Sequence, residues 1–433
     1  MAQLRPMTTS DLLHRRERLL GQGTPLFYSE PVHVVRGDGI WLYDASGKQY
    51  MDLYNNVPCV GHSNPRVAAA MQTQAGSLNV HSRYLHEGIL DYAERLTNLH
   101  AEPLTRAVFC CTGTEASEIA LLMARTATNG QGIICTDACY HGNSTEVRRL
   151  SNAGRDPAGN PEIRAIPYPQ TYRPIYPAAS ESQLAELYLE RVREAIADFA
   201  SHDIPFAGMF VCSLLVNEGL PDIPRGFMPR AAEIVRAAGG LFIADEVQAG
   251  FCRSGRWWGY ETSGFVPDIV TMGKPMGAGL PLAGVLARPE LVDAFREKTR
   301  YFNTFASSPL QAAVGMAVLD ELEERKSLEN VVTAGGHLRA GLDQLQAEHE
   351  RMGDVRGHGL ALGVEWVLDR ESRAPDRDGV GRVVDRLREK GFLAGSAGSL
   401  RNVLKLRPPL VFSKENADAF LDAFSETLRE LHG

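Results

Sequence analysis

Between Arg106 and Asp268 short apolar runs alternate with helix-forming stretches, and this alternation constrains the fold more than any other feature of the chain. AVFCCTG (107–113) leads into TEASEIALLMARTA (114–127), and GIICTD (132–137) into a loop. AGMFVCSLLV (207–216) is followed by a predicted helix over Pro229–Ala238 and then by LFIADE (241–246). Apolar runs of four to eight residues bounded by Gly and Pro suit strands buried on both faces. Their alternation with helices predicts an α/β fold whose sheet is mostly parallel. Two of the runs, Leu241–Ala244 and Asp268–Met272, end on polar residues: Asp245 with Glu246, and Lys274. Residues at the carboxyl ends of parallel strands face the crevice where such folds bind ligands, so a carboxylate and an amine are expected there together.

The flanks read differently. Residues 1–20 suit an amphipathic helix, and Pro31–Asp52 an antiparallel meander with turns at Gly37-Asp38-Gly39 and Ala45-Ser46-Gly47. Asn55–His62 is a loop, and helices open at Pro65 and, after Ser308, at Pro309, running to Gln74 and Arg325. Then come a helix over Glu329–Arg351, a strand in GLALGVEWVL (359–368), a helix over Val380–Lys390, a strand in NVLKLRPPLV (402–411) and a last helix over Lys414–His432. At 433 residues the chain exceeds one simple core. The expected organisation is a large domain over 55–310 and a smaller α+β unit over 311–433, joined by the N-terminal 1–54.

Charge and cysteine usage exclude several functions. A formal net charge of -8 argues against a nucleic-acid partner. No run approaches the about 18 apolar residues of a membrane helix. The first twenty residues lack the apolar centre of a signal peptide, and Asp11 and Glu17 count against a transit peptide. The seven cysteines are odd in number with no CxxC spacing, which fits neither a disulfide framework nor a metal site. The expectation is a reduced, cytoplasmic protein.

Gly113-Thr114 opens a helix directly after a strand, offering backbone N–H groups, a hydroxyl and the positive end of the dipole to a phosphate. The competing reading is a plain Thr N-cap. Lys274 lies between Met, Gly and Pro residues that suit a buried turn; burial lowers the pKa of an amine and makes it a nucleophile toward aldehydes. With Asp245 as partner of a pyridinium nitrogen, these parts are what pyridoxal phosphate requires.

The motifs CTGTEAS (111–117), YHG (140–142), ADEVQAGF (244–251), TMGKPMGAGLPLAGV (271–285) and FNTFASSP (302–309) give the chain a close resemblance to the class III aminotransferase family, fold-type I pyridoxal-phosphate enzymes, over nearly its whole length. The resemblance implies that Lys274 carries the cofactor as an imine and that Asp245 holds its pyridine nitrogen. It implies that Gly113 and Thr114 bind the cofactor phosphate, Tyr140 of the Tyr140-His141-Gly142 motif stacks on the ring, Val247 packs on the other side and Gln248 contacts the ring hydroxyl. Thr304 matches a threonine that reaches the phosphate in a neighbouring subunit, which implies a homodimer with shared sites.

Within the family the chain resembles the subgroup of ethanolamine-phosphate and phosphohydroxylysine phospho-lyases and alanine–glyoxylate aminotransferase 2. Where many aminotransferases of the family carry a carboxylate-clamping arginine before a Pro-Pro pair, this chain has Lys405, a point charge and not a planar fork. At Ser213 the family's glutamate is absent. Both departures favour a permanently anionic substrate. Tyr54, Arg83, Arg173, Lys405 and Arg407 are the candidate substrate contacts. The expected reaction is elimination of phosphate from an amino-alcohol phosphate such as phosphoethanolamine, with Lys274 moving the Cα proton. The alternative is amino transfer from an amine or amino acid to a 2-oxo acid or aldehyde. A non-catalytic cofactor-binding regulator is the remote third reading, because the N-terminal helix is too short for a winged helix.

Overall fold

A computed structural model describes residues 8–154 and 160–432. The predicted meander forms β1 (Val34–Asp38), β2 (Trp41–Asp44) and β3 (Gln49–Asp52), all antiparallel. The first predicted helix runs over Thr9–Leu20, capped by Thr8 and with no buried residue; residues 1–7 of that prediction lie outside the described ones.

The alternating region supplies β4 (Arg106–Cys110), β5 (Gly132–Thr136), β6 (Ile163–Ile166), β7 (Phe206–Cys212), β8 (Leu241–Asp245), β9 (Ile269–Met272) and β10 (Ala283–Ala287). They form one seven-stranded sheet in the order β4-β10-β9-β8-β7-β5-β6. The β5, β6, β7, β8 and β9 pairings are parallel, while β10 runs antiparallel to both of its neighbours. Alternate residues feed two cores. Ile243, Phe210 and Ile133 pack with Ile119 and Met123 of the helix Gly113–Thr128 and with Phe295. Phe242, Val211 and Ile134 pack with Val192 and Phe199 of Glu181–Ser201, and with Val235 and Leu319. Each such side chain contributes about 1.5–3 kcal/mol on burial, so helices on both faces fix the strand ends. Gly208 permits the tightest approach in the sheet: at φ 156° an added Cβ would stand 2.1 Å from the Leu241 carbonyl oxygen.

The C-terminal part forms β11 (Met352–His358), β12 (Ala361–Trp366), β13 (Phe392–Leu393), β14 (Gly395–Ala397) and β15 (Val403–Leu406). Four of these make the sheet β11-β12-β15-β14, while β13 pairs in parallel with β3, tying the two ends of the chain together. The helix expected over Glu329–Arg351 runs Ser327–Glu348, and the residues after it turn into β11. Among the described residues no helix is long and apolar enough to cross a membrane, and no cluster of side chains suits a metal ion.

Candidate active site

Asp245 ends β8, in register with Thr271 of the parallel strand β9, and Lys274 follows β9 by two residues. The two therefore leave the sheet at the same edge. One Asp245 oxygen accepts from the Val247 N–H at 2.9 Å, and the other lies 2.6 Å from His141 Nδ1. The His141 ring is stacked on Phe210, with centroids 4.3 Å apart and planes 8° from parallel. Asp245 is thus fixed from both sides. Glu246 points the opposite way, taking hydrogen bonds from Ser213 Oγ and the Gly259 and Tyr260 N–H groups.

Lys274 begins a short 3-10 turn with φ 35°, a left-handed conformation that non-glycine residues adopt only when the surroundings impose it. Its Nζ has no hydrogen-bond or ion-pair partner among the described residues. Burial lowers its pKa, the Arg407 charge adds to that, and Asp245 opposes it.

The N-terminus of the helix Gly113–Thr128 comes to the same edge. Thr112 is its N-cap, in a reciprocal capping box with Glu115, so Thr114 is not the cap and its hydroxyl is left for other use. That hydroxyl accepts from the Asn143 N–H at 3.3 Å. The turn over Tyr140–Gly142 lies against this helix: Ser117 Oγ donates to the His141 carbonyl at 2.8 Å. An added Cβ on Gly142, at φ 150°, would stand 2.7 Å from Thr114 Oγ1. All the predicted cofactor residues except Thr304 line one cavity of about 210 Å³. It presents free helix N–H groups with a hydroxyl, a partnerless amine, a carboxylate and the half-exposed Tyr140 ring. Those groups match the phosphate, aldehyde, pyridine nitrogen and ring face of pyridoxal phosphate, so the residues present fit that cofactor.

A second cavity of about 290 Å³ adjoins the first, sharing Tyr140, Gln248 and Lys274, and is also lined by Tyr54, Asn217, Lys405 and Arg407. Lys405 Nζ and the Arg407 guanidinium lie 5.3 and 5.5 Å from the Tyr54 ring centroid. Both residues are 5% exposed. Arg407 donates to Gln248 Oε1 and to the Tyr54 carbonyl, both neutral acceptors, and Lys405 Nζ has no hydrogen bond among the described residues. Asp52, whose charge reaches Arg407, is itself engaged by His62 at 2.7 Å and by Asn55. Burial, the Arg407 charge and Lys274 push Lys405 down to about 7, and burial brings Arg407 down to about 10. Two buried basic groups thus face a cavity with no carboxylate paired to either among the described residues.

The other expected residues have different surroundings. Arg173 does not line either cavity: it donates to Glu365 at 2.5 Å and to the Arg373 carbonyl, so its charge is already neutralised. Arg83 lies outside both cavities as well, its guanidinium 4.0 Å over the Phe302 ring. Gln248 lines both cavities; its Oε1 accepts from Arg407 and its Nε2 donates to Asn217 at 3.0 Å. Thr304 is exposed beside Phe305, which is 76% exposed. Asn217, unmarked in the sequence, also donates to the Tyr140 carbonyl at 3.1 Å. Only the chain reversal after β7 brings it to the site, and no local pattern announces that.

Residues 27–428 match the family model described as aminotransferase class-III. The chain is 35% identical to a Drosophila melanogaster protein named alanine–glyoxylate aminotransferase 2-like, over 98% of this chain and 87% of that protein. It is 32% identical to a Caenorhabditis elegans ethanolamine-phosphate phospho-lyase homolog, over 96% of this chain and 93% of the relative. A phospholyase from Arthrobacter, solved in complex with phosphoethanolamine, superposes with a TM-score of 0.93 at 38% identity, covering 97% of this chain and 99% of that one.

Proposed function

The chain belongs to the class-III aminotransferase family and is a pyridoxal-phosphate-dependent enzyme, and on that premise we propose that it eliminates phosphate from a small amino-alcohol phosphate such as phosphoethanolamine. The observation that carries this is the Lys405–Arg407 pair, buried beside Lys274 without a neutralising carboxylate among the described residues. Holding uncompensated cations out of water is costly unless an anion enters with them. The phosphoethanolamine-bound phospholyase of similar fold supports the same reading.

When bound, the cofactor supplies an electron sink for the charge that develops on the substrate carbon next to nitrogen. Gly113 and Thr114 would hold its phosphate, Asp245 its pyridine nitrogen and Lys274 Nζ its aldehyde carbon. Burial lowers the pKa of Lys274 and so favours its neutral amine, the form that can take a proton from Cα. Lys405 Nζ and the Arg407 guanidinium hold the ester phosphate and balance its charge as the C–O bond breaks. In sum, phosphoethanolamine and one water give acetaldehyde, ammonia and inorganic phosphate.

The relatives named as aminotransferases favour the second reading, amino transfer to a 2-oxo acid. The two separate in one pair of assays: phosphate release from phosphoethanolamine, beside pyruvate-dependent consumption of alanine. Elimination predicts the first signal; the second alone would replace it with amino transfer.

The same proposal includes a homodimer. Thr304 and Phe305 are exposed on one segment, and Leu85 at 99% and Tyr84 at 63% exposure lie near it through the His81–Phe302 contact at 5.5 Å. An apolar patch of this kind supports an interface with another copy. We divide the chain into a large cofactor-binding domain over 55–310 and a smaller unit built from 1–54 and 311–433. The seven free cysteines support a reducing, cytoplasmic location.

A further inference from the structure

The reversal after β7 delivers a carboxylate into the interior as well as an amide to the cavity. Leu215, Gly219 and Leu220 all have positive φ, at 48°, 105° and 57°. The result turns Asn217 toward the cavity and Glu218 inward, where only 2% of it remains exposed. Glu218 Oε1 accepts from Thr136 Oγ1, at the end of β5, at 2.6 Å. Its other oxygen, Oε2, is buried with no hydrogen-bond partner. The same holds for His141 Nε2, on the far side of the ring from the Nδ1 that meets Asp245. Buried polar atoms without partners are rare and costly. Here a proton donor and an acceptor are left over in one interior region, close enough for the His141 charge to act on Glu218.

We infer that Glu218 is a positioning residue: it shares a proton with His141 Nε2 through a bridging water, and so sets the charge that Asp245 presents to the cofactor. The inference rests on the placement of Asp245 beside the cofactor nitrogen and is independent of the substrate.

With Glu218 ionised, His141 is an imidazolium between two carboxylates and draws charge from Asp245. With the proton on Glu218, the neutral ring still donates from Nδ1 and leaves Asp245 its full charge. Both arrangements are accessible near neutrality. Burial pushes Glu218 up to about 7 against the Thr136 hydrogen bond and the His141 charge. Burial alone would lower His141, but Cys139 and Asp245 outweigh it and leave it at about 10. The other ionisable groups facing the pair are Asp137 and Cys139 after β5, Cys212 at the end of β7, and Lys274 across Asp245. Of these, Cys139 also meets the His141 ring through a side-chain hydrogen bond, but Cys135 and burial push its thiol well up, which leaves Glu218 as the carboxylate with an unpartnered oxygen.

The test uses holoenzyme with 13Cε1-labelled histidine, the His141 signal being the one lost in His141→Gln. Glu218→Gln removes one of the two anions, so the His141 titration midpoint falls by about one pH unit or more, a tenfold change in proton affinity. Thr136→Val, which leaves the carboxylate but weakens its anionic form, gives a smaller fall and serves if Glu218→Gln does not fold. The absorbance of the bound cofactor, followed against pH, shifts its midpoint in Glu218→Gln but not when Glu218→Gln is added to His141→Gln. An unchanged His141 midpoint, or an equal absorbance shift with and without His141, overturns the inference. If Asp245→Asn also leaves the absorbance unchanged, the placement of Asp245 falls with it; if Asp245→Asn alters it, that placement stands and only the role of Glu218 is lost.

Discussion

In the proposed elimination, Lys405 is the residue on which the choice of substrate turns. Its folded pKa of about 7 means that it is a cation below that pH and neutral above it. Affinity for an anionic substrate in the free enzyme therefore falls as pH rises through about 7. We predict that kcat/KM for phosphoethanolamine declines above that pH, and that Lys405→Met flattens this limb while lowering kcat/KM by roughly 10-fold at pH 6.5, the worth of one charge-assisted hydrogen bond. Initial-rate profiles from pH 6 to 9 check both. An unchanged alkaline limb in Lys405→Met would assign the titration to another group. Lys274→Ala should abolish the absorbance of the covalently held cofactor at about 410–430 nm while leaving the fold intact by circular dichroism.

At the scale of elements, the site depends on two close approaches between segments distant in sequence. The Tyr140–Gly142 turn fits over the Gly113–Thr128 helix only because Gly142 has no Cβ. Gly142→Ala is predicted to weaken cofactor affinity by at least about 10-fold, since φ 150° and a contact at 2.7 Å both oppose the added methyl; equilibrium cofactor titration measures it. Glu246 clamps β8 to the residues 259–263, and Glu246→Ala should cost about 3 kcal/mol in chemical denaturation by leaving two buried N–H groups unpaired.

This is also the scale at which the sequence could and could not be read. Apolar runs ending in Asp245 and before Lys274 carried strand, edge and chemistry together, because parallel strands are buried on both faces and their ends are marked by polar residues. Strand β11 was missed: Met352–His358 alternates polar and small residues, and its buried Arg356 is balanced by Glu365 of β12, 2.5 Å away, a pairing visible only in three dimensions. That same Glu365 takes up Arg173, which removes it from the substrate contacts. Cation counting along a sequence does not reveal which charges are already paired. Lys405 and Arg407 separate from the other candidate cations only once their surroundings are known.

Across the whole molecule, the sheet edge brings amine, carboxylate and helix N-terminus together, and β13 on β3 ties both chain ends to that arrangement. The proposed dimer makes a prediction at this scale. Phe305→Glu with Leu85→Asp places charges on the exposed patch and should shift the protein from dimer to monomer in light scattering, with loss of cofactor retention because Thr304 then lacks its neighbouring site. A dimer that survives both changes would move the interface elsewhere. The central claim is tested most directly by incubating the holoenzyme with phosphoethanolamine and no 2-oxo acid, and measuring acetaldehyde, ammonia and inorganic phosphate over many turnovers. Elimination at the Lys405–Arg407 site predicts the three products in equal amounts, continuing until substrate is exhausted. Absence of phosphate, or turnover that stops after one equivalent and resumes only when a 2-oxo acid is added, would contradict it.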